Sequence, residues 1–79
     1  MGEKVYVLIH LYSGSFAFVN CSVYSKREDA EQAFRKESKN LIDIHRNLRI
    51  IEDCKDNLTL FSDYYDEYVE LHIEEQNIL

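Results

Sequence analysis

The chain has 79 residues, 46% of them hydrophobic and 13% aromatic, with a formal net charge of −6. That length suits a single domain spanning residues 1–79, and the apolar content excludes a disordered or low-complexity chain. The acidic balance disfavours direct contact with nucleic acid or an anionic membrane, and no apolar run approaches the length of a membrane span.

The opening segment MGEKVYVLIHLY has no cleavage site of small residues and does not read as a signal peptide. Tyr6 stands where a myristoylated N-terminus needs Ser or Thr. Residues 4–12 alternate as a strand. Val5, Val7, Ile9 and Leu11 make an aliphatic face, and Tyr6, Leu8, His10 and Tyr12 make the other. Ser13-Gly14-Ser15 is a turn, with Gly14 expected to supply a positive φ. Residues 16–24 resume the alternation, placing Ala17, Val19, Cys21 and Val23 opposite Phe16, Phe18, Asn20, Ser22 and Tyr24. These two segments predict a β-hairpin whose aliphatic face is the buried one, so Cys21 reads as a core thiol.

Ser25-Lys26-Arg27-Glu28 has the pattern of a capping box, which predicts a helix starting at Ser25. Ala30, Ala33, Phe34, Leu41 and Ile44 follow at helical spacing and predict the face packed on the sheet. The helix is expected to end near Asn47, a residue that tolerates a left-handed cap. A longer helix running to about Lys55 stays open, because apolar 3-4 steps continue through Leu48, Ile51 and Leu58.

Lys55-Asp56-Asn57 is a polar turn, Leu58–Phe61 a short strand and 62–67 a loop. In Tyr68–Glu75 the residues Val69, Leu71 and Ile73 point inward, while Glu70, His72 and Glu74 point outward. The expected fold is therefore α+β: a small antiparallel sheet, β-β-α-β-β, with one helix on one face. One helix covers one face only, so Tyr6, Leu8, Tyr12, Phe16 and Phe18 are left as an apolar second face. That face is expected to be a homo-oligomer interface. The alternative is that the Tyr64–Tyr68 loop folds over it.

Charge divides unevenly along the chain. Residues 1–51 hold six acids against eight bases, and residues 52–79 hold nine acids against Lys55 alone. The acidic, aromatic stretch Asp63, Tyr64, Tyr65, Asp66 and Glu67, with Glu70 and Glu74 after it, is the candidate binding surface for a basic protein partner. Tyrosines supply contact area and carboxylates steer a basic surface. An ordinary solvated face is the competing reading.

Catalytic chemistry finds little support. Cys54 follows the acids Glu52-Asp53, which disfavours a thiolate, and no glycine loop cradles phosphate. Cys21 and Cys54 read as reduced thiols, consistent with a cytoplasmic setting. No enzyme activity and no cofactor are expected. The rival class is a small metal- or ligand-binding homodimer using His10 and His72, flanked by Glu70 and Glu74.

The order of features resembles a diffuse group of short phage and mobile-element proteins. It shares their strand hairpin, capped Ala-containing helix (SKREDAEQAF), aromatic turn (LFSDYYDEY) and closing amphipathic strand (VELHIEE). The glycine common in that aromatic turn is replaced by Asp66-Glu67. The resemblance implies one narrower idea: a small acidic inhibitor that imitates nucleic acid and blocks a host defence nuclease.

Overall fold

The computed structural model describes residues 3–78. Its elements run β1 (Glu3–Ser13), β2 (Ala17–Tyr24), α1 (Arg27–Ile44), β3 (Arg49–Asp53), β4 (Asn57–Ser62) and β5 (Glu67–Ile78). The five strands form one sheet in the order β2-β1-β5-β4-β3, with every neighbouring pair antiparallel. The α+β class and the single helix on one face are as the alternation predicts. One strand more than expected, β3, closes the far edge of the sheet.

The long β1–β5 ladder is the spine. It pairs Glu3 with Ile78 at one end and Ser13 with Tyr68 at the other. Register decides which side chains share a face, because directly paired residues point the same way. Leu8 pairs with Ile73, His10 with Leu71 and Tyr12 with Val69. Leu58 and Leu60 of β4 pair with Leu71 and Val69. These residues face α1, whose Ala30, Phe34 and Leu41 complete the core together with Leu48 from the following loop. Leu58, Leu60, Val69 and Leu71 are the largest side chains that are completely enclosed. Ile44, expected on the packing face, is exposed because the helix ends there.

The assignment of faces in the first hairpin is thus the reverse of the sequence expectation. The helix covers the Tyr6/Leu8/His10/Tyr12 side and leaves the aliphatic Val5/Val7/Ile9/Leu11 side open. The cause lies in β5, whose apolar residues Val69, Leu71 and Ile73 pair with the even-numbered positions of β1.

Local chemistry departs from the expected signals at both helix ends and in the turns. The helix opens at Arg27 with Lys26 as N-cap, and no side chain caps it, so the Ser25 capping box does not form. Instead Arg27 reaches Glu31 at 3.1 Å, Glu75 at 3.7 Å and Asp56 at 3.8 Å, and lies over the Tyr6 ring at 5.9 Å. It ties the start of the helix to β1, β5 and the β3–β4 turn. Glu28 and Asp29 still occupy the first turn, where the helix dipole favours them. At the other end the His45 amide bonds Leu41 O at 2.9 Å, and the chain turns into β3, which excludes the long helix.

Gly14 has no positive φ. A Cβ there would sit 2.6 Å from the Tyr12 hydroxyl and 3.2 Å from Glu67 Cγ, so a larger residue would have to push the Tyr12 hydroxyl and its Glu67 partner aside. The residue with positive φ is Asp66, at 53°, in the β4–β5 turn. This is where the resembling pattern carries glycine, and Asp tolerates the conformation better than most side chains.

Candidate interaction surface

The side of the sheet away from α1 carries no covering element among the described residues. Its β1 and β2 half is aliphatic: Val5, Val7, Ile9 and Leu11 lie beside Val19, Cys21 and Val23, with Leu11 paired to Val19, Ile9 to Cys21 and Val7 to Val23. Val19 is 57% exposed and Val23 65%. Cys21 is exposed here and is not a core thiol.

The β5 half of the same face is charged and polar. Leu11 pairs with Glu70, Ile9 with His72 and Val7 with Glu74. Across the next ladder Glu70 meets Thr59 and His72 meets Asn57, and Thr59 in turn meets Glu52 of β3. His72 stands between two carboxylates. Its Nδ1 is 2.6 Å from Glu70 Oε2, at ion-pair distance but without hydrogen-bond alignment, and its Nε2 is 3.2 Å from Glu74 Oε1. The Tyr68 hydroxyl donates to Glu70 Oε1 at 2.5 Å. That bond, followed by burial, holds the Tyr68 pKa above its ordinary value, because ionisation would set a phenolate against the carboxylate. Gln76 Nε2 donates to Glu74 and Asn57 Nδ2 to Glu52. The carboxylates are therefore positioned by neighbours, and among the described residues no lysine or arginine pairs with Glu70 or Glu74.

The structure scatters the seven predicted partner-binding residues over three places. Glu70 and Glu74 are on the open face. Asp63, Tyr64, Tyr65 and Asp66 form the β4–β5 turn, where Tyr64 is 88% exposed and stacks edge-on against Tyr65 at 4.8 Å. The Tyr6, Leu8 and Tyr12 face, for which the Tyr64–Tyr68 loop was the alternative cover, lies under α1 instead. Asp63 lies 3.7 Å from Arg49. Glu67 points to the helix side, where it accepts a 2.8 Å hydrogen bond from the Tyr12 hydroxyl. That hydrogen bond raises the Tyr12 pKa.

The five residues expected to make an oligomer interface lie on the helix side or in the first turn. Leu8 is buried in the core, and Tyr6 sits beneath Arg27. Tyr12, Phe16 and Phe18 cluster with His10 and His45 around a cavity of about 210 Å³. Burial holds the His10 pKa below the ordinary 6.5, opposed by the nearby Glu37 carboxylate and assisted by His45.

His10 and His72 occupy opposite faces, since Ile9 is the residue opposite His72. They cannot share a metal, and no group of three or more ligating side chains gathers among the described residues. No described helix is long and apolar enough to cross a membrane.

Sequence reasoning missed Val19, Cys21 and Val23 as surface residues. Alternation alone separates the two faces of a strand but does not say which one a distant helix covers. The usable signal was β5, whose polar row had to continue across some neighbouring strand. No family model, curated protein or solved structure matches the chain.

Proposed function

We propose that this chain is a non-catalytic protein-interaction module that docks a basic partner on the open face of its sheet. The supporting observation is the juxtaposition on that face of an aliphatic half with a row of carboxylates, Glu70 and Glu74. The apolar half provides area whose removal from water favours association at roughly 25 cal/mol per Å². The carboxylates select lysine or arginine at its border and speed encounter. The Tyr64–Tyr65 turn stands at one end of the sheet as a further contact.

The nucleic-acid-mimic form of this reading draws less support. A phosphate mimic needs carboxylates in an extended array, and here they divide among the open face, the turn and the helix side. Inhibition of a defence nuclease therefore enters as a narrower version of the same proposal, motivated by the resemblance to phage and mobile-element proteins.

Capture from a bacterial lysate on tagged protein tests the reading. A basic protein should be retained at low salt and reduced at about half-molar salt, where the Debye length is about 4–5 Å. Glu70→Lys/Glu74→Lys should lose it at both. Retention unchanged by salt and by this reversal would refute the charge-guided reading.

A further inference from the structure

The two edges of the sheet are built in contrasting ways. The β3 edge is five residues long, carries Arg49, Glu52 and Asp53, and is broken by a register shift between Ile50 and Glu52. Short length, charge and a bulge are the devices that keep a strand edge from pairing with another chain. The β2 edge has none of them. It runs eight residues, Ala17-Phe18-Val19-Asn20-Cys21-Ser22-Val23-Tyr24, without charge or proline, and its ladder to β1 is continuous. Among the described residues no strand pairs with its outer edge. Val19 and Val23 are exposed on the open face, and on the helix side Asn20 and Ser22 are exposed along a groove of about 590 Å³ that separates β2 from Ala33, Lys36 and Glu37 of α1.

We infer that β2 is a dimerisation edge, and that its occupant is β2 of a second copy of this chain, paired antiparallel about a twofold axis at Cys21. The sequence of the strand is complementary to itself in that register. Cys21 faces Cys21 of the copy. On the open face Val19 meets Val23 of the copy, and on the helix side Asn20 meets Ser22 and Phe18 meets Tyr24. Every pair joins like with like, aliphatic to aliphatic, polar to polar and aromatic to aromatic, the cross-strand combinations that stabilise a sheet. Shifting the axis to Asn20 would set Phe18 against Ser22 and Ala17 against Val23, a poorer match. Side chains keep their faces in the chosen register, so both helices lie on one side of a ten-stranded sheet. The acidic β5 strands are held apart by two strands from each copy, which keeps like charges away from the axis. The aliphatic halves of the two open faces merge into one central band.

Sedimentation equilibrium and circular dichroism on the full chain test this. The wild type should show twice the 9.4 kDa of one chain at concentrations from micromolar to near-millimolar. Asn20→Lys/Ser22→Lys sets like charges opposite each other across the axis and should give a folded monomer. Asn20→Lys/Ser22→Glu sets opposite charges there and should restore the dimer. Both positions point away from the open face, so a dimer packed through that face would ignore these changes. As an independent check, diamide should link Cys54→Ser protein into a covalent dimer by taking two electrons and two protons from the paired Cys21 thiols. Cys21→Ser protein should not link. A wild type that stays monomeric, or a dimer equally stable in the two-lysine variant and not linked through Cys21, overturns the inference.

Discussion

The two faces of this sheet are cut from the same strands, yet they are held by different forces. On the helix side Leu8, Leu58, Leu60, Val69 and Leu71 are enclosed with Phe34 and Leu41, so each side chain is surrounded by apolar neighbours. On the open side Val5, Val7, Ile9 and Leu11 are only half-buried, by adjacent strands, and their row continues into Glu70, His72 and Glu74. Burial in so small a domain is thus not set by the most aliphatic strand face. It is set by the face whose neighbours across the ladder are also apolar. Val69, Leu71 and Ile73 recruit the even-numbered side of β1 to the core, and the more uniformly aliphatic side is left for water or for a partner.

The contrast can be broken most severely from the enclosed side. Leu71→Ala removes a fully buried side chain from the middle of the core, and a cost of about 2–5 kcal/mol is expected. Thermal unfolding should then drop by more than about 8 °C, since each kcal/mol moves a domain of this size by about 4–8 °C. The same experiment on Val23→Ala should move stability by well under half as much, because Val23 is 65% exposed. Equal losses from the two variants, measured in the Asn20→Lys/Ser22→Lys background where β2 edges do not pair, would mean that the open face is covered within the monomer.

A second prediction concerns binding alone. Compared with the Asn20→Lys/Ser22→Lys protein, itself unable to pair through β2, Val19→Lys/Val23→Lys should leave the unfolding transition within about 1 kcal/mol and lower partner capture at least about tenfold, a change worth about 1.4 kcal/mol. Retained capture would move the docking surface elsewhere.

The helix side also carries the titration that bears on stability. The folded pKa of His10 lies below its ordinary 6.5, chiefly through burial. Between those two values the unfolded chain binds more protons than the folded one, so stability rises with pH across that window. The contribution of neutral His10 is fully present above about pH 6.5 and is lost as pH falls through the folded pKa. Denaturant unfolding from pH 7.5 downward should show that loss, and His10→Phe should reduce it. A His10→Phe profile as steep as wild type would assign the acid sensitivity to other groups.

The smallest expected effect lies in the β4–β5 turn. Asp66 holds a φ of 53°, which glycine adopts without steric cost. Asp66→Gly should therefore stabilise by up to about 1 kcal/mol, the steric relief being partly offset by glycine's greater freedom when unfolded. A loss of stability would show that the carboxylate makes a compensating contact.

Much of the fold is legible in the sequence because most of its strands alternate. Val5 to Tyr12 and Tyr68 to Glu75 announce themselves, and Phe34 and Leu41 announce the packing side of the helix. The β3 strand is hidden because Arg49–Asp53 is short and continues the 3-4 apolar spacing of the helix before it. The helix start misleads because Arg27, drawn to Glu31, Asp56 and Glu75, replaces the Ser25 cap, and two of those three partners are distant in sequence. The candidate surface was only half legible. Glu70 and Glu74 were identified from their alternation, but their aliphatic neighbours depend on the β1–β5 register, which no local pattern carries. The acidic aromatic stretch looked continuous in sequence, and a turn at Asp63–Asp66 followed by a strand distributed it over two faces.

Whether the open face does the docking is decided by one side-by-side capture. Tagged wild-type protein, the open-face variant Val23→Lys/Glu70→Lys/Glu74→Lys and the turn variant Tyr64→Ala/Tyr65→Ala should be used side by side to capture partners from one bacterial lysate at low salt. Each variant is first shown to be folded by circular dichroism. A basic protein should be retained by the wild type, largely retained by the turn variant and absent from the open-face variant. Retention by the open-face variant with loss from the turn variant would contradict docking on the open face and return the binding surface to the tyrosine turn.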